Sequence, residues 1–193
     1  GCFRFALALR KLLWTTDETL PEKESVTAGT YLFPDAQWYI STAENGTSVA
    51  AKAGSNAEPH NHNDIGVFEI YRHGKILLHD IGSGEYNKDY FSAKRYEFFC
   101  CSSRGHSVPI VNGTYQLEGK THAAHNVVLR EDGMSADIAA AYGDATLLSL
   151  VRDLHFDRKS GALRLTDTYR FSEVPTSVTE RFIATTEPKL TGE

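Results

Sequence analysis

Three histidines and one aspartate carry the clearest chemical signal in this 193-residue sequence. His60 and His62 are two positions apart, Asp80 closes a predicted strand, and His106 follows a tyrosine-rich connection. Two or three imidazoles with a carboxylate form a ligand set that suits a divalent transition metal, with zinc as the first candidate. We therefore predict that His62, Asp80 and His106 bind a metal. His60 is either a fourth ligand or a neighbour that faces substrate.

The same segment has a simpler interpretation, in which its histidines are hydrogen-bonded loop residues. Pairs of histidines two positions apart occur by chance in surface loops. On the metal hypothesis, Asn61, Asn63 and Asp64 are placed to orient the imidazoles. The other histidines are expected to have no role in metal binding: His73, His79, His122, His125 and His155.

The composition predicts one soluble globular domain, or one domain with a fragment of another. Hydrophobic residues make up 41% of the chain and charged residues 23%, with a net charge of -5. This charge argues against a general nucleic-acid-binding protein, and no apolar run approaches the length of a membrane span. The three cysteines, Cys2, Cys100 and Cys101, are too few for a disulfide framework, so Cys100 and Cys101 are expected to be free thiols.

The order of elements predicts two parts. Residues 2–14 are rich in helix formers and predict a short helix, and residues 15–28 are polar and predict a linker. From residue 29 to residue 193, short alternating segments separated by turn signals predict an all-β, antiparallel β-sandwich. Phe98–Ser103 is expected to be one of its strands. Asn45-Gly46 and Asn112-Gly113 are expected to be hairpin turns.

The hairpin between Gly66 and Asp80 bears on the metal hypothesis. A three-residue loop ending at Gly74 pairs Ile70 with Ile76 and Phe68 with Leu78, matching apolar with apolar. It is preferred over a two-residue turn, which would oppose Ile70 and Leu77 but also Phe68 and His79. The preferred register places Asp80 on the sheet face of the even-numbered histidines, provided that the strand is regular back to His60.

Two metal-binding families share parts of this pattern. Gly54 and His60 fit the opening of a cupin signature, but Glu69 is displaced and the second cupin motif is not found. The run GSNAEPHNHNDIGVF (54–68) resembles the signature stretch of the heparinase II/III-like family of polysaccharide lyases. The resemblance covers roughly residues 31–185 and continues through Leu77–Gly82, Gly105-His106-Ser107 and Val111-Asn112-Gly113.

That resemblance implies a fold and a partner domain. Family members have an α/α toroid followed by an antiparallel, supersandwich-like β-sandwich, with the active cleft between them. Residues 1–28 are then the last helix and linker of a truncated α/α toroid, and residues 29–193 are the heparinase II/III-like sandwich. The family metal, usually zinc, falls on His62, Asp80 and His106, and its implied role is structural. The family more often has asparagine where this chain has Ser107.

The implied reaction is β-elimination on an acidic, uronate-containing polysaccharide. In family members the base comes from the toroid, so this chain alone is expected to be inactive. His60 is expected to face the cleft and serve the sugar carboxylate or the proton transfers, and Tyr90 or Tyr96 is a candidate acid for the leaving group. Neither a nucleic acid nor a membrane is an expected partner. The alternatives are a non-catalytic carbohydrate-binding or structural module, and a cupin-like metalloenzyme.

Overall fold

A computed structural model describes Leu9 and residues 27–187. The strands are β1 (Gly29–Phe33), β2 (Trp38–Thr42), β3 (Ser48–Lys52), β4 (Phe68–Arg72), β5 (Lys75–Leu78), β6 (Ile110–Val111), β7 (His125–Arg130), β8 (Gly133–Asp137), β9 (Leu147–Asp157), β10 (Ala162–Phe171) and β11 (Val178–Thr179). Short 3₁₀ helices cover Asp89–Phe91, Ala93–Glu97, Ser103–Gly105 and Ala139–Ala141. The predicted helix and linker, residues 2–14 and 15–28, lie outside the described residues except for Leu9 and residues 27–28.

The strands form antiparallel sheets, which confirms the all-β prediction. One sheet has five strands in the order β1-β2-β3-β4-β5, and a second has four in the order β10-β9-β8-β7. A small third sheet pairs β11 with β6. Neighbouring strands in the two large sheets follow one another in sequence. Most of their connections are short, but residues 53–67 form a long loop between β3 and β4.

Alternating burial along the strands shows how the core is built. In β9, Leu150, Leu154 and Phe156 point inward while their neighbours are more exposed, the two-residue period of a half-buried strand. These side chains share one apolar cluster with Tyr39 and Val49 of the five-stranded sheet. Full burial of each aliphatic side chain stabilises the fold by about 1.5–3 kcal/mol.

Arg152 occupies a core position of β9 and is only 2% exposed. The register places it opposite Asp167 of β10, and its Nη2 lies 2.6 Å from Asp167 Oδ2 while its Nε lies 2.9 Å from Oδ1. Its Nη1 donates to the carbonyls of Gly66 at 3.0 Å and Ser107 at 2.8 Å. The buried cation therefore ties the four-stranded sheet to the loops that follow Asp64 and His106.

The predicted turns are confirmed and one predicted strand is wrong. Asn45-Gly46 lies between β2 and β3, and both residues of Asn112-Gly113 have positive φ, at 49° and 73°. Residues 98–102 form bends and turns rather than a strand, and Ser103 begins a 3₁₀ helix. The carbonyl of Phe98 accepts hydrogen bonds from Cys101 N and Ser102 N, both at 3.1 Å, so local bonding replaces a strand ladder here.

The predicted register of the β4–β5 hairpin is also wrong. The turn has two residues, His73 and Gly74, with φ of 49° and 77°. Arg72 opposes Lys75 next to the turn, and Tyr71 opposes Ile76 one step further on. An irregularity then shifts the pairing so that Ile70 opposes Leu78. An unshifted ladder would oppose Ile70 and Leu77, so the bulge exchanges one leucine partner of Ile70 for the next.

Candidate metal centre

The loop between β3 and β4, residues 53–67, carries both histidines of the His-x-His motif. This loop is irregular, so a strand pleat does not place the two side chains on one face as predicted. His60 has φ of 61° and is exposed, whereas His62 is half-buried and turned into the protein. The left-handed backbone at His60 separates the two imidazoles, one towards solvent and the other inward.

Four side chains from three loops converge beside His62. The structure brings together one ligand atom each from His62, Asp64, Asp80 and His106, all within 4.8 Å of one another. His60 is not a member of this group. Asp64, which the sequence suggested only as an orienting residue, lies among the candidate ligands. Its position two residues after His62 is the signal that would have found it.

His106 shows that the cluster fits a cation. Its side chain has no exposed surface, and its Nε2 lies 3.0 Å from the carbonyl oxygen of Cys100. A carbonyl oxygen only accepts hydrogen bonds, so Nε2 carries a proton and donates it to this bond. A neutral His106 then presents the lone pair of Nδ1, 3.1 Å from Asp80 Oδ2. Two acceptors this close repel each other unless a proton or a metal ion lies with them. The donor set of two imidazoles and two carboxylates suits a divalent metal.

The pKa shifts of the cluster residues agree with a site that attracts a cation. Burial lowers the pKa of His62, and the neighbouring His106 lowers it further. Burial also acts to lower the pKa of His106, but the hydrogen bond to Asp80 and the carboxylates of Asp64 and Asp80 raise it overall. Burial opposes ionisation of Asp80, yet His106, the N–H of Gly82 and His62 together keep the Asp80 pKa below its usual range. The carboxylates of the cluster therefore favour a cation between the side chains.

Arg95 holds the loop that carries the two histidines. Its guanidinium donates to the carbonyl of His60 at 2.9 Å and to that of Asn61 at 3.0 and 3.2 Å. A further bond reaches the carbonyl of Tyr90 at 3.2 Å, and the guanidinium carbon lies 4.4 Å from the centre of the Tyr90 ring. One side chain thus fixes the unusual backbone at His60 relative to Tyr90. Sequence reasoning missed this role because it depends on the fold of the 87–97 connection.

A buried amide fixes the other end of the same loop. Gln116 accepts from Ile65 N at 2.9 Å and donates to Ile65 O at 2.8 Å. The main-chain carbonyl of Gln116 accepts a hydrogen bond from Asn63 Nδ2 at 3.1 Å. These bonds hold Asn63 and Ile65 on either side of Asp64, and nothing in the local sequence marks Gln116 for this task.

The two candidate tyrosines have different surroundings. Tyr90 is 1% exposed, packs with Cys100 and Cys101, and places its hydroxyl 3.4 Å from His62 Nε2. Burial, with Cys101 alongside, raises the pKa of Tyr90 to about 12. Tyr96 is partly exposed and donates to Asn61 Oδ1 at 2.8 Å. Catalytic roles for His60, Tyr90 and Tyr96 stay predictions. Cys100 and Cys101 are free, as expected.

The cluster also borders a cleft on the outer face of the five-stranded sheet. This cleft has a volume of about 290 Å³, and Asp64, Asp80, Lys52 and Trp38 are among its lining residues. Lys52 Nζ lies 3.0 Å from Asp64 Oδ1 and partly balances the carboxylates. The cleft gives solvent a route to the carboxylate side of the cluster.

The fold and the cluster together define a β-sandwich module with a candidate metal centre. Residues 26–176 match the family model described as "Heparinase II/III-like, C-terminal". The chain belongs to this family. The match confirms the resemblance read from the sequence and sets the cupin hypothesis aside.

Solved structures show the same fold. The chain is similar to a heparinase III solved with methylated lysines (14% identity, TM-score 0.56), covering 88% of this chain and 27% of that one. It is also similar to a mutant of the heparan sulfate lyase HepC from Pedobacter heparinus (16% identity, TM-score 0.55), covering 87% and 27%. The chain thus spans about a quarter of these longer proteins. A comparison with curated proteins finds no significant match. Across the described residues, no helix is long and apolar enough to cross a membrane.

Proposed function

We propose that this chain is the metal-binding β-sandwich module of a lyase that cleaves uronate-containing polysaccharides by β-elimination. The observation that carries the proposal is the position of His60 within a chain of this family. The residue is exposed on the loop that also delivers His62 to the buried cluster, and Arg95 fixes its backbone. A polar side chain so placed is available to a ligand while its support is rigid.

β-Elimination requires that a proton next to the sugar carboxylate be removed and that the leaving oxygen be protonated. In the proposal, His60 contacts the substrate and either helps to neutralise the sugar carboxylate or takes part in the proton transfers. Tyr96, partly exposed beside Asn61, is the better placed of the two tyrosines to donate a proton to the leaving oxygen. Tyr90 is buried against His62, and its raised pKa keeps its hydroxyl protonated. Tyr90 is therefore better placed to orient His62 than to meet substrate.

We further propose that His62, Asp80 and His106 are metal ligands, with Asp64 within reach as a fourth. A bound divalent cation, zinc in our proposal, would supply a cross-link between the loop before β4, the end of β5 and the segment after Ser103–Gly105. Four protein groups leave little room for a reacting water, which favours a structural role over a catalytic one. His106 is held for this task by the carbonyl of Cys100.

The catalytic base is proposed to come from a preceding α/α domain, as the family resemblance implies. On that basis the 193-residue chain alone is inactive. The acidic polysaccharide then lies between the two domains, with His60 on the sandwich side. This arrangement accounts for an exposed histidine whose backbone is rigidly held on the sandwich module.

The test is an assay of the complete gene product that contains this chain, following the ultraviolet absorbance of an unsaturated uronate on heparosan, chondroitin, hyaluronan and alginate. His60→Asn is the informative variant, since asparagine tolerates a left-handed backbone. His73→Asn is a matched control, because His73 is also exposed with positive φ. We expect His60→Asn alone to abolish the product. Glycan binding without product from any substrate would instead indicate a non-catalytic carbohydrate-binding module.

A further inference from the structure

Residues 178–185, which we call the strap, follow β10 and begin just past residue 176, where the match to the family model ends. The strap bonds to the residue after His106 and to the residue before Asp80. We propose that Ile183 of the strap and Ser107 are positioning residues for the metal centre, so that metal binding and docking of the strap favour each other. This inference rests on the proposed metal ligands and adds a segment that controls how tightly they bind.

The main chain of Ile183 makes both connections. Its N–H donates to Ser107 Oγ at 2.9 Å, and its carbonyl accepts from the N–H of His79 at 3.0 Å. Ser107 directly follows the proposed ligand His106. His79 directly precedes the proposed ligand Asp80, whose Oδ2 lies 3.1 Å from His106 Nδ1. One strap residue therefore closes a ring of contacts around two of the ligands.

Ser107 is held from a second side by the core. The residue is fully buried, and its carbonyl accepts from Arg152 Nη1 at 2.8 Å. Arg152 belongs to β9 and is itself fixed by its ion pair with Asp167. The bond from Ile183 is the part of this support that comes from the strap. Release of the strap removes that donor from a buried hydroxyl beside His106.

The strap is attached to the rest of the fold at few points. Two residues, β11, pair with β6, Thr185 Oγ1 donates to the carbonyl of Ile76 at 2.7 Å, and the guanidinium of Arg181 donates to the carbonyl of Arg104. Phe182 is 49% exposed. Segments with little buried apolar surface and exposed hydrogen bonds open locally at low cost. The strap can therefore open without global unfolding, and a metal that fixes both ligands favours its closed form.

The coupling acts in both directions. If a docked strap strengthens metal binding by a given factor, bound metal reduces opening of the strap by the same factor. Loss of a group that orients metal ligands usually weakens metal binding by about 10-fold or more. The two effects should therefore agree in size, which a purely structural role for the strap does not require.

Removal of the Ser107 hydroxyl tests the first direction. Ser107→Ala should weaken zinc binding by about tenfold, measured by competition with a chromophoric chelator at a temperature where the protein is folded. Thr185→Ala loosens the strap at Ile76, away from both ligands, and should weaken zinc binding by about threefold. Ser177→Ala, at an exposed serine just before β11, should bind zinc as the wild type does. Wild-type affinity in Ser107→Ala or in Thr185→Ala would overturn the proposal.

Trypsin cleavage after Arg181 tests the reverse direction on the full chain. Because the Arg181 side chain is bonded to the carbonyl of Arg104, cleavage requires the strap to open. Added zinc should slow this cleavage by about tenfold relative to chelator-treated protein, followed by mass spectrometry, since the rate tracks the population of open strap. Cleavage after Lys159, in the exposed turn between β9 and β10, should not change. Zinc binding without protection at Arg181 would overturn the coupling alone, whereas absence of zinc binding would overturn the proposed metal ligands together with it.

Discussion

The Nη2 of Arg95 lies 2.9 Å from the carbonyl oxygen of His60, at a residue whose backbone is left-handed. The same nitrogen lies 3.0 Å from the carbonyl oxygen of Asn61. Because an ammonium cannot reproduce this planar set of donors, Arg95→Lys should behave much like Arg95→Ala. Both variants should weaken metal binding by about 10-fold or more, the usual effect of losing a residue that orients ligands.

The measurement for Arg95 is metal affinity by competition with a chromophoric chelator, with thermal unfolding as a second readout. Lys94→Ala is the control, since Lys94 is exposed and its side chain makes no described hydrogen bond or ion pair. Equal metal affinity in Arg95→Ala and Lys94→Ala would show that the Arg95 contacts do not matter for the cluster.

Arg152 and Asp167 form a buried ion pair, and removing one partner should destabilise the fold more than removing both. Arg152→Met leaves the Asp167 carboxylate without its cation and should lower the free energy of unfolding by about 3–5 kcal/mol. The double variant Arg152→Met/Asp167→Leu removes both charges and should recover part of that loss. Urea unfolding measures both. A double variant less stable than Arg152→Met would contradict the pairing as the main role of Arg152.

Gln116 should contribute to stability through its two bonds with Ile65. Gln116→Leu leaves the N–H and the carbonyl of Ile65 buried without these partners, and each such group costs about 1–3 kcal/mol. The expected result is a lower urea midpoint with an unchanged slope. A loss within roughly 0.5 kcal/mol, the range of neutral surface changes, would mean that another group satisfies Ile65.

Asp144, in the connection before β9, provides a pH-dependent contribution to the stability of the fold. Its carboxylate accepts from Thr146 N at 2.8 Å, Thr146 Oγ1 at 2.7 Å and Asn112 Nδ2 at 2.6 Å, and these bonds lower its pKa. Because the folded pKa lies below the unfolded value of about 3.9, the stabilisation is complete above that pH and is lost as pH falls through the folded pKa. The Tm difference between the wild type and Asp144→Ala should therefore shrink in acid. A difference that stays constant with pH would contradict this.

The sequence predicted the strands better than the loops that carry the site. The short alternating segments anticipated strands such as β9 and β10, because a half-buried strand shows its period directly. The convergence of His62, Asp80 and His106 was also anticipated, although the cause is loop geometry rather than a pleat. Loop positions depend on distant partners such as Arg95 and Gln116, and no local pattern encodes those contacts.

The β4–β5 hairpin shows a second limit. The apolar content of the strands correctly indicated that Ile70 should meet an apolar partner. It did not indicate that a two-residue turn at His73-Gly74 followed by a bulge would achieve this. Registers that satisfy the same burial differ by small local energies, so turn type and bulge position are set by the folded context.

Metal content per chain tests the central claim most directly. Elemental analysis of the purified protein, and of protein refolded with zinc, should give about one equivalent of bound metal, and its removal by a chelator should lower the Tm. His62→Ala should lose the metal and show the lower Tm without chelator. His125→Ala, at an exposed histidine of β7, should keep the bound metal and the Tm of the wild type. Absence of metal from native and refolded protein, or full retention in His62→Ala, would contradict the account.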